Sequence, residues 1–173
     1  AAIIQQRLTA HTFAVAEALN KHGDVDVQVA MSGVSLRSAQ RFLPSLPPCT
    51  LVDQGRGSLG ARMLRQIHRA RFRQHNKPVI VIGTDLADLC QSDLRHAIQK
   101  LQNQPLVLGP SADGGYWLLG LGAALTQQQL DALFAAVPWG SNKVFDITCA
   151  RARGMGFTLS LIHISEPTRL GFI

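Results

Sequence analysis

Val79-Ile80-Val81-Ile82-Gly83-Thr84-Asp85-Leu86-Ala87-Asp88-Leu89 is the stretch on which the reading of this chain turns. Four β-branched residues follow one another between Pro78 and Gly83. An unbroken run of this kind is typical of a central parallel strand, covered on both faces. The strand then delivers a hydroxyl, Thr84, and a carboxylate, Asp85, to the edge of its sheet. Ligands of open α/β sheets bind beyond the carboxyl ends of the strands. Gly83 lets a backbone come close there. A diphosphate needs its charge neutralised, and Mg²⁺ or Mn²⁺ takes oxygen ligands for the purpose. One protein carboxylate with substrate phosphates and waters is enough for Mg²⁺. Two readings of Asp85 therefore stand side by side: a metal ligand, or the cap of the turn that follows. Asp88 and Asp93 read as turn and helix-start residues.

Outward from this strand the pattern alternates. Residues 3–21 have helical spacing, with Gly23 as the stop. Val25, Val27 and Val29 alternate with polar residues as a strand does. Ser35 can cap a short helix through Phe42, and Pro44, Pro47 and Pro48 turn the chain towards a strand at 50–52. Helices are expected over 58–74, 92–102, 126–136 and 142–153, and strands over 106–108, 116–121 and 157–162. Strands alternating with helices imply βαβ units and a mostly parallel sheet.

Three further runs carry chemistry. In Asp53-Gln54-Gly55-Arg56-Gly57-Ser58-Leu59-Gly60-Ala61-Arg62 a glycine-rich loop opens a helix. Its backbone N–H groups are placed to hold a base or ribose, with Gln54, Gly57, Leu59, Gly60 and Arg62 as contacts. The run is neither a Walker A sequence nor a G-x-G-x-x-G fingerprint, and Ser58 also reads as an ordinary N-cap. In Leu108-Gly109-Pro110-Ser111-Ala112-Asp113-Gly114-Gly115-Tyr116-Trp117, two glycines precede an aromatic strand. Asp113 can accept sugar hydroxyls or act as the catalytic base, and Gly114, Gly115 and Tyr116 can lie against the ligand. The competing reading is a plain Asp-Gly-Gly turn between strands. In Val137-Pro138-Trp139-Gly140-Ser141-Asn142, Trp139 either lines the acceptor side or packs in the core.

The chain of 173 residues suits one domain, and 46% hydrophobic residues supply a core. No apolar run approaches the ~20 residues of a membrane helix, and no secretory signal is visible. Cys49, Cys90 and Cys149 show neither metal nor disulfide spacing, so they read as small buried hydrophobes in a reducing, cytoplasmic setting. The net charge of +6 invites a nucleic-acid reading. Arg62, Arg65, Arg69, Arg71 and Arg73 lack aromatic interleaving, however, and read as a solvated helix face. A basic rim that draws in a diphosphate is the alternative. The scattered histidines His11, His22, His68, His75 and His96 read as surface residues.

Taken in order, these runs resemble a bacterial family of GT-A-like proteins, the DUF2064 or arsenosugar-biosynthesis type of glycosyltransferase. Ile82-Gly83-Thr84-Asp85-Leu86, Leu108-Gly109-Pro110 with Asp113-Gly114-Gly115-Tyr116, and Pro138-Trp139-Gly140 carry the likeness. It implies a three-layer α/β/α, Rossmann-like nucleotide-diphospho-sugar transferase fold, with a metal-linked Asp85 and a substrate-facing Asp113 loop. It also implies a nucleotide-sugar donor and an acceptor; the charge pattern and hydropathy above speak for neither nucleic acid nor a membrane span as partner. The family begins with a strand and a Lys-Thr-Arg-like loop, which would precede Ala1. Its later Asp-x-Asp-Thr-Pro-like run is replaced here, and Ala87 stands where the family usually has Pro. The stretch from Leu159 to Arg169 resembles the in-frame translation of a transposase adapter used in shotgun sequencing. We therefore expect a partial domain over 1–158, a non-native tail over 159–173, and no activity from the chain as written. Nucleotidyl transfer of the molybdopterin or phospholactate type, and a non-catalytic nucleotide-binding module, are the alternative functions.

Overall fold

The computed structural model describes residues 2–21, 23, 25–33, 35, 37–39, 50–75 and 77–163. In chain order the elements are α1 (Ala2–Asn20), β1 (Gln28–Met31), β2 (Thr50–Asp53), α2 (Leu59–Arg73), β3 (Val79–Ile82), α3 (Gln91–Leu101), β4 (Leu106–Pro110), β5 (Tyr116–Leu121), α4 (Gln127–Phe134), α5 (Val144–Gly154) and β6 (Leu159–Leu161). Residues 37–39 are helical and the Ser38 N–H donates to Ser35 Oγ, as a cap would require. The rest of that expected helix, with His22 and Cys49, lies outside the described residues.

The strands form two sheets, β1-β2 and β3-β5-β4-β6. β1 and β2 pair in parallel, as do β4 and β6. β5 runs antiparallel to both β3 and β4, so the larger sheet is mixed. Alternating apolar positions put Leu106, Leu108, Leu119 and Leu121 into one core and Val107 and Leu118 into the other. The first core is closed by α2, α4 and α5 through Ile67, Leu130, Leu133, Cys149 and Ala152. The second is closed by α1 and α3 through Val15, Leu19, Leu94, Ala97 and Leu101. Helices thus lie on both faces of the sheet, in three layers, and each fully buried leucine contributes roughly 1.5–3 kcal/mol.

The Val79–Ile82 run departs from expectation. Among the described residues β3 pairs only with β5, on the outside of the larger sheet, and its residues are half-buried. Its composition still follows from packing, because Val79 and Val81 meet one core while Ile80 and Ile82 meet the other. Periodicity reports which faces are covered; it says nothing about the neighbours along the edge. The adapter-like residues also enter the sheet. Leu159–Leu161 pair with β4, the Ile162 N–H donates to Leu108 O at 2.9 Å, and the Ile162 side chain is 2% exposed in the second core. Among the described residues no helix is long and apolar enough to cross a membrane.

Candidate functional site

Because β3 and β4 both run opposite to β5, the segments following them emerge at the same end of the sheet. The first carries Thr84 and Asp85, both exposed. Asp85 makes no hydrogen bond or ion pair with any described residue, and its carboxylate curls back over Gly83. The Gly83 N–H donates to Trp117 O at 3.2 Å, which ties this segment to the start of β5. Downstream, His11 on α1 hydrogen-bonds Leu89 O at 2.8 Å. Asp93 accepts from the Cys90 N–H at 2.9 Å and starts α3.

The second segment is the Ser111–Gly115 turn. The Asp113 carboxylate accepts from the Ser111 hydroxyl and from the Gly115 N–H. These bonds, the Ser111 one foremost, hold its pKa below the ordinary aspartate value, although the side chain is exposed. Gly114 has φ of +82°, and a Cβ there would strike the backbone of Asn142. The Phe145 N–H donates to Gly114 O at 2.9 Å, so the turn is seated on the start of α5. Tyr116, next in line, is inward-facing. Burial raises its phenol pKa. A Tyr116 that packs inward offers little to a ligand.

Trp139 joins two runs that the sequence kept apart. Its indole stacks on Phe134 at 5.2 Å and meets Tyr116 edge-on at 6.4 Å. It also lies so close over Gly60 that a Cβ there would collide with the ring. Gly60 is therefore the seat of a tryptophan, and a packing role accounts for both residues. Leu59 beside it is exposed. Gly60 and Trp139 border an apolar cleft of about 370 Å³ between α2 and the end of α4, lined among others by Leu64, Phe134 and Val137.

A second cleft, of about 390 Å³, opens at the carboxyl ends of β1 and β2. Ser32 and Gly33 line one side; Asp53, Gly55, Arg56, Gly57 and Arg62 line the other. Arg62 Nη1 donates to Ser32 Oγ at 3.2 Å and to Gln54 Oε1 at 2.9 Å. The Gln54 amide in turn donates to Ala30 O at 2.9 Å, which joins the loop to β1. Gly57 and Arg62, both expected on sequence grounds, thus share a cleft that Gln54 braces. Neither cleft is lined by Asp85 or Asp113. Among the described residues no group of three or more His, Cys, Asp or Glu side chains converges on one point.

The arginine run corrects its sequence reading. Arg71 is 5% exposed and donates to Gly122 O, Ala123 O and Leu125 O. Burial lowers its pKa. Arg65 and Arg69 turn back to carbonyls of the glycine-rich loop, while Arg73 is exposed. Charges at helical spacing look solvated in a sequence, but α2 runs beside chain segments whose carbonyl groups need donors. His68 likewise has a partner, Asp131 Oδ1 at 2.9 Å. Cys149 is buried as expected, whereas Cys90 is exposed at the start of α3.

Comparison with known proteins gives two findings. The model of a family described as "Uncharacterized protein conserved in bacteria (DUF2064)" matches residues 14–141. A crystal structure from Desulfovibrio desulfuricans G20, described as a "putative nucleotide-diphospho-sugar transferase", superposes with a TM-score of 0.81 at 21% identity. The match covers 94% of this chain and 67% of that one. At this identity the likeness is one of fold. No curated protein matches.

Proposed function

We propose that this chain, which belongs to the DUF2064 family, is built to handle nucleotide-diphosphate sugars and that its full-length form transfers the sugar to an acceptor. One observation supports this above the others. Contacts link all four chemistry-bearing runs: the Gly83 N–H to Trp117 O, Tyr116 to Trp139, and Trp139 to Gly60. In this reading a carboxylate loop, an Asp-Gly-Gly turn and a glycine-rich cleft of nucleoside size serve one ligand. The name given to the Desulfovibrio structure points the same way.

Within this reading the cleft beside Gln54, Gly57 and Arg62 receives the nucleoside. Asp85, exposed and unpaired among the described residues, fits a role as the single protein ligand of Mg²⁺ or Mn²⁺. Such an ion, when bound, would neutralise the diphosphate as it leaves. Ser111 and Gly115 donate to Asp113 and hold its pKa below the ordinary aspartate value. A depressed pKa makes a carboxylate a weak base, so Asp113 is better suited to accept a sugar hydroxyl's hydrogen bond than to remove its proton. Gly114 and Gly115 keep the turn low beside it.

The test is thermal stabilisation by UDP-, GDP-, ADP- and CMP-sugars and by NTPs, with and without Mn²⁺. Nucleotide sugars should raise Tm, more so with the metal. A response to NTPs alone, followed by pyrophosphate release, would replace sugar transfer with nucleotidyl transfer.

A further inference from the structure

Every backbone carbonyl that could face the polar cleft from Asp53, Gln54 and Arg56 is tied instead to a side chain of α2. Arg65 Nη1 donates to Gln54 O at 2.6 Å, and Nη2 donates to Arg56 O at 2.9 Å. Gln66 Nε2 donates to Asp53 O at 2.9 Å and to Gln54 O at 3.3 Å. Arg69 Nη1 adds a bond to Asp53 O at 3.2 Å. The loop needs such restraint, because Gly55 and Gly57 have φ of +76° and +113° and no regular structure holds them. The guanidinium of Arg65 lies directly beneath Gly55.

We propose that Arg65, Gln66 and Arg69 are positioning residues, a clamp that occupies the carbonyl acceptors of Asp53, Gln54 and Arg56 and so prepares the cleft for a nucleoside diphosphate. The proposal rests on the nucleotide reading above. With those acceptors occupied, the cleft is lined by two arginines, Arg56 and Arg62, by Ser32 and by one acidic residue, Asp53. Two cations against one anion favour an anionic ligand, and the cations of Arg65 and Arg69 behind the loop add to the same potential. Loop shape and charge thus come from one helix face. A rigid, preformed cleft also spares the ligand the cost of ordering two glycines.

Calorimetric titration of the chain with UDP, GDP, ADP and CDP, each with Mg²⁺, tests this against four variants. Arg65→Met should weaken the best-bound diphosphate about tenfold, the consequence of two lost hydrogen bonds. Arg69→Met should weaken it less, and Arg65→Lys should recover part of the loss. Arg73→Met removes the same charge from the exposed far end of α2 and should bind as the parent does. Hydrogen exchange at Gly55 to Leu59 should rise in Arg65→Met while the β4 and β5 amides stay protected, which separates loosening of the loop from unfolding. Equal weakening by Arg73→Met would reduce the effect to net charge and overturn the clamp. So would unchanged affinity and exchange in Arg65→Met. Should none of the four diphosphates bind the parent chain, the nucleotide reading falls and takes the proposal with it; binding by the parent with an indifferent Arg65→Met removes the clamp alone.

Discussion

The two glycine-bearing loops are held in place by opposite means. The Asp53–Gly57 loop is tethered by long side chains that reach across from α2 to its carbonyls. The Ser111–Gly115 turn is seated by backbone against backbone, with Gly114 pressed on Asn142 and bonded to Phe145. A side-chain tether can be removed by substitution without altering the backbone it holds; a main-chain contact cannot. Both loops are thus preformed, the first by side chains of α2 and the second by the chain itself. Such a division lets the cleft be tuned through α2 while the Asp113 turn keeps its carboxylate in register.

Four substitutions or conditions press on that contrast, in order of decreasing effect. Gly114→Ala should cost about 3 kcal/mol, the sum of left-handed strain and an unyielding backbone clash, read as a lower urea midpoint at unchanged slope. Gly55→Ala meets the same left-handed strain, but its Cβ meets only the end of the Arg65 side chain at 2.6 Å. That end can swing aside only by giving up its bonds to Gln54 O and Arg56 O, so about 2 kcal/mol is expected. Equal costs at the two glycines would erase the distinction. Acid should act on the fixed turn. Asp113 has a folded pKa below its unfolded one, so its contribution is complete above the ordinary aspartate value and is lost as pH falls through the folded value. Exposure screens it to below about 1 kcal/mol, and Asp113→Asn should remove that part of the acid dependence in a pH series of melts. Asp85→Asn should leave stability within about 0.5 kcal/mol, since no described residue bonds the side chain. Its effect should appear only as loss of the metal-dependent share of nucleotide-sugar stabilisation. A fall in stability without that loss would make Asp85 a turn residue.

Much of the architecture was legible because burial leaves a periodic trace. The helices over α2, α3 and α5, and β5 to the residue, followed from spacing, and the Asp85 segment and the Asp-Gly-Gly turn followed from strand ends. Strand direction left no such trace: Tyr116–Leu121 has the same pattern whether it runs with or against its neighbours, and here it runs against both. Partnerships between distant side chains were equally silent. Arg71 reads like Arg73, yet one is buried on three carbonyls and the other lies in solvent. Gly60 looked like a ligand contact and Trp139 like either a ligand contact or a core residue, and their mutual packing shows only when the chain is folded.

The chain carries two indoles in unlike surroundings. Trp117 is 7% exposed in the core beside Gly109, while Trp139 is half-buried over Gly60. Emission from the first should stay constant while the fold holds, and the second should change hue or intensity whenever the start of α2 shifts. The protein thus has its own optical gauge of movement in the helix that grips the loop, needing no attached dye.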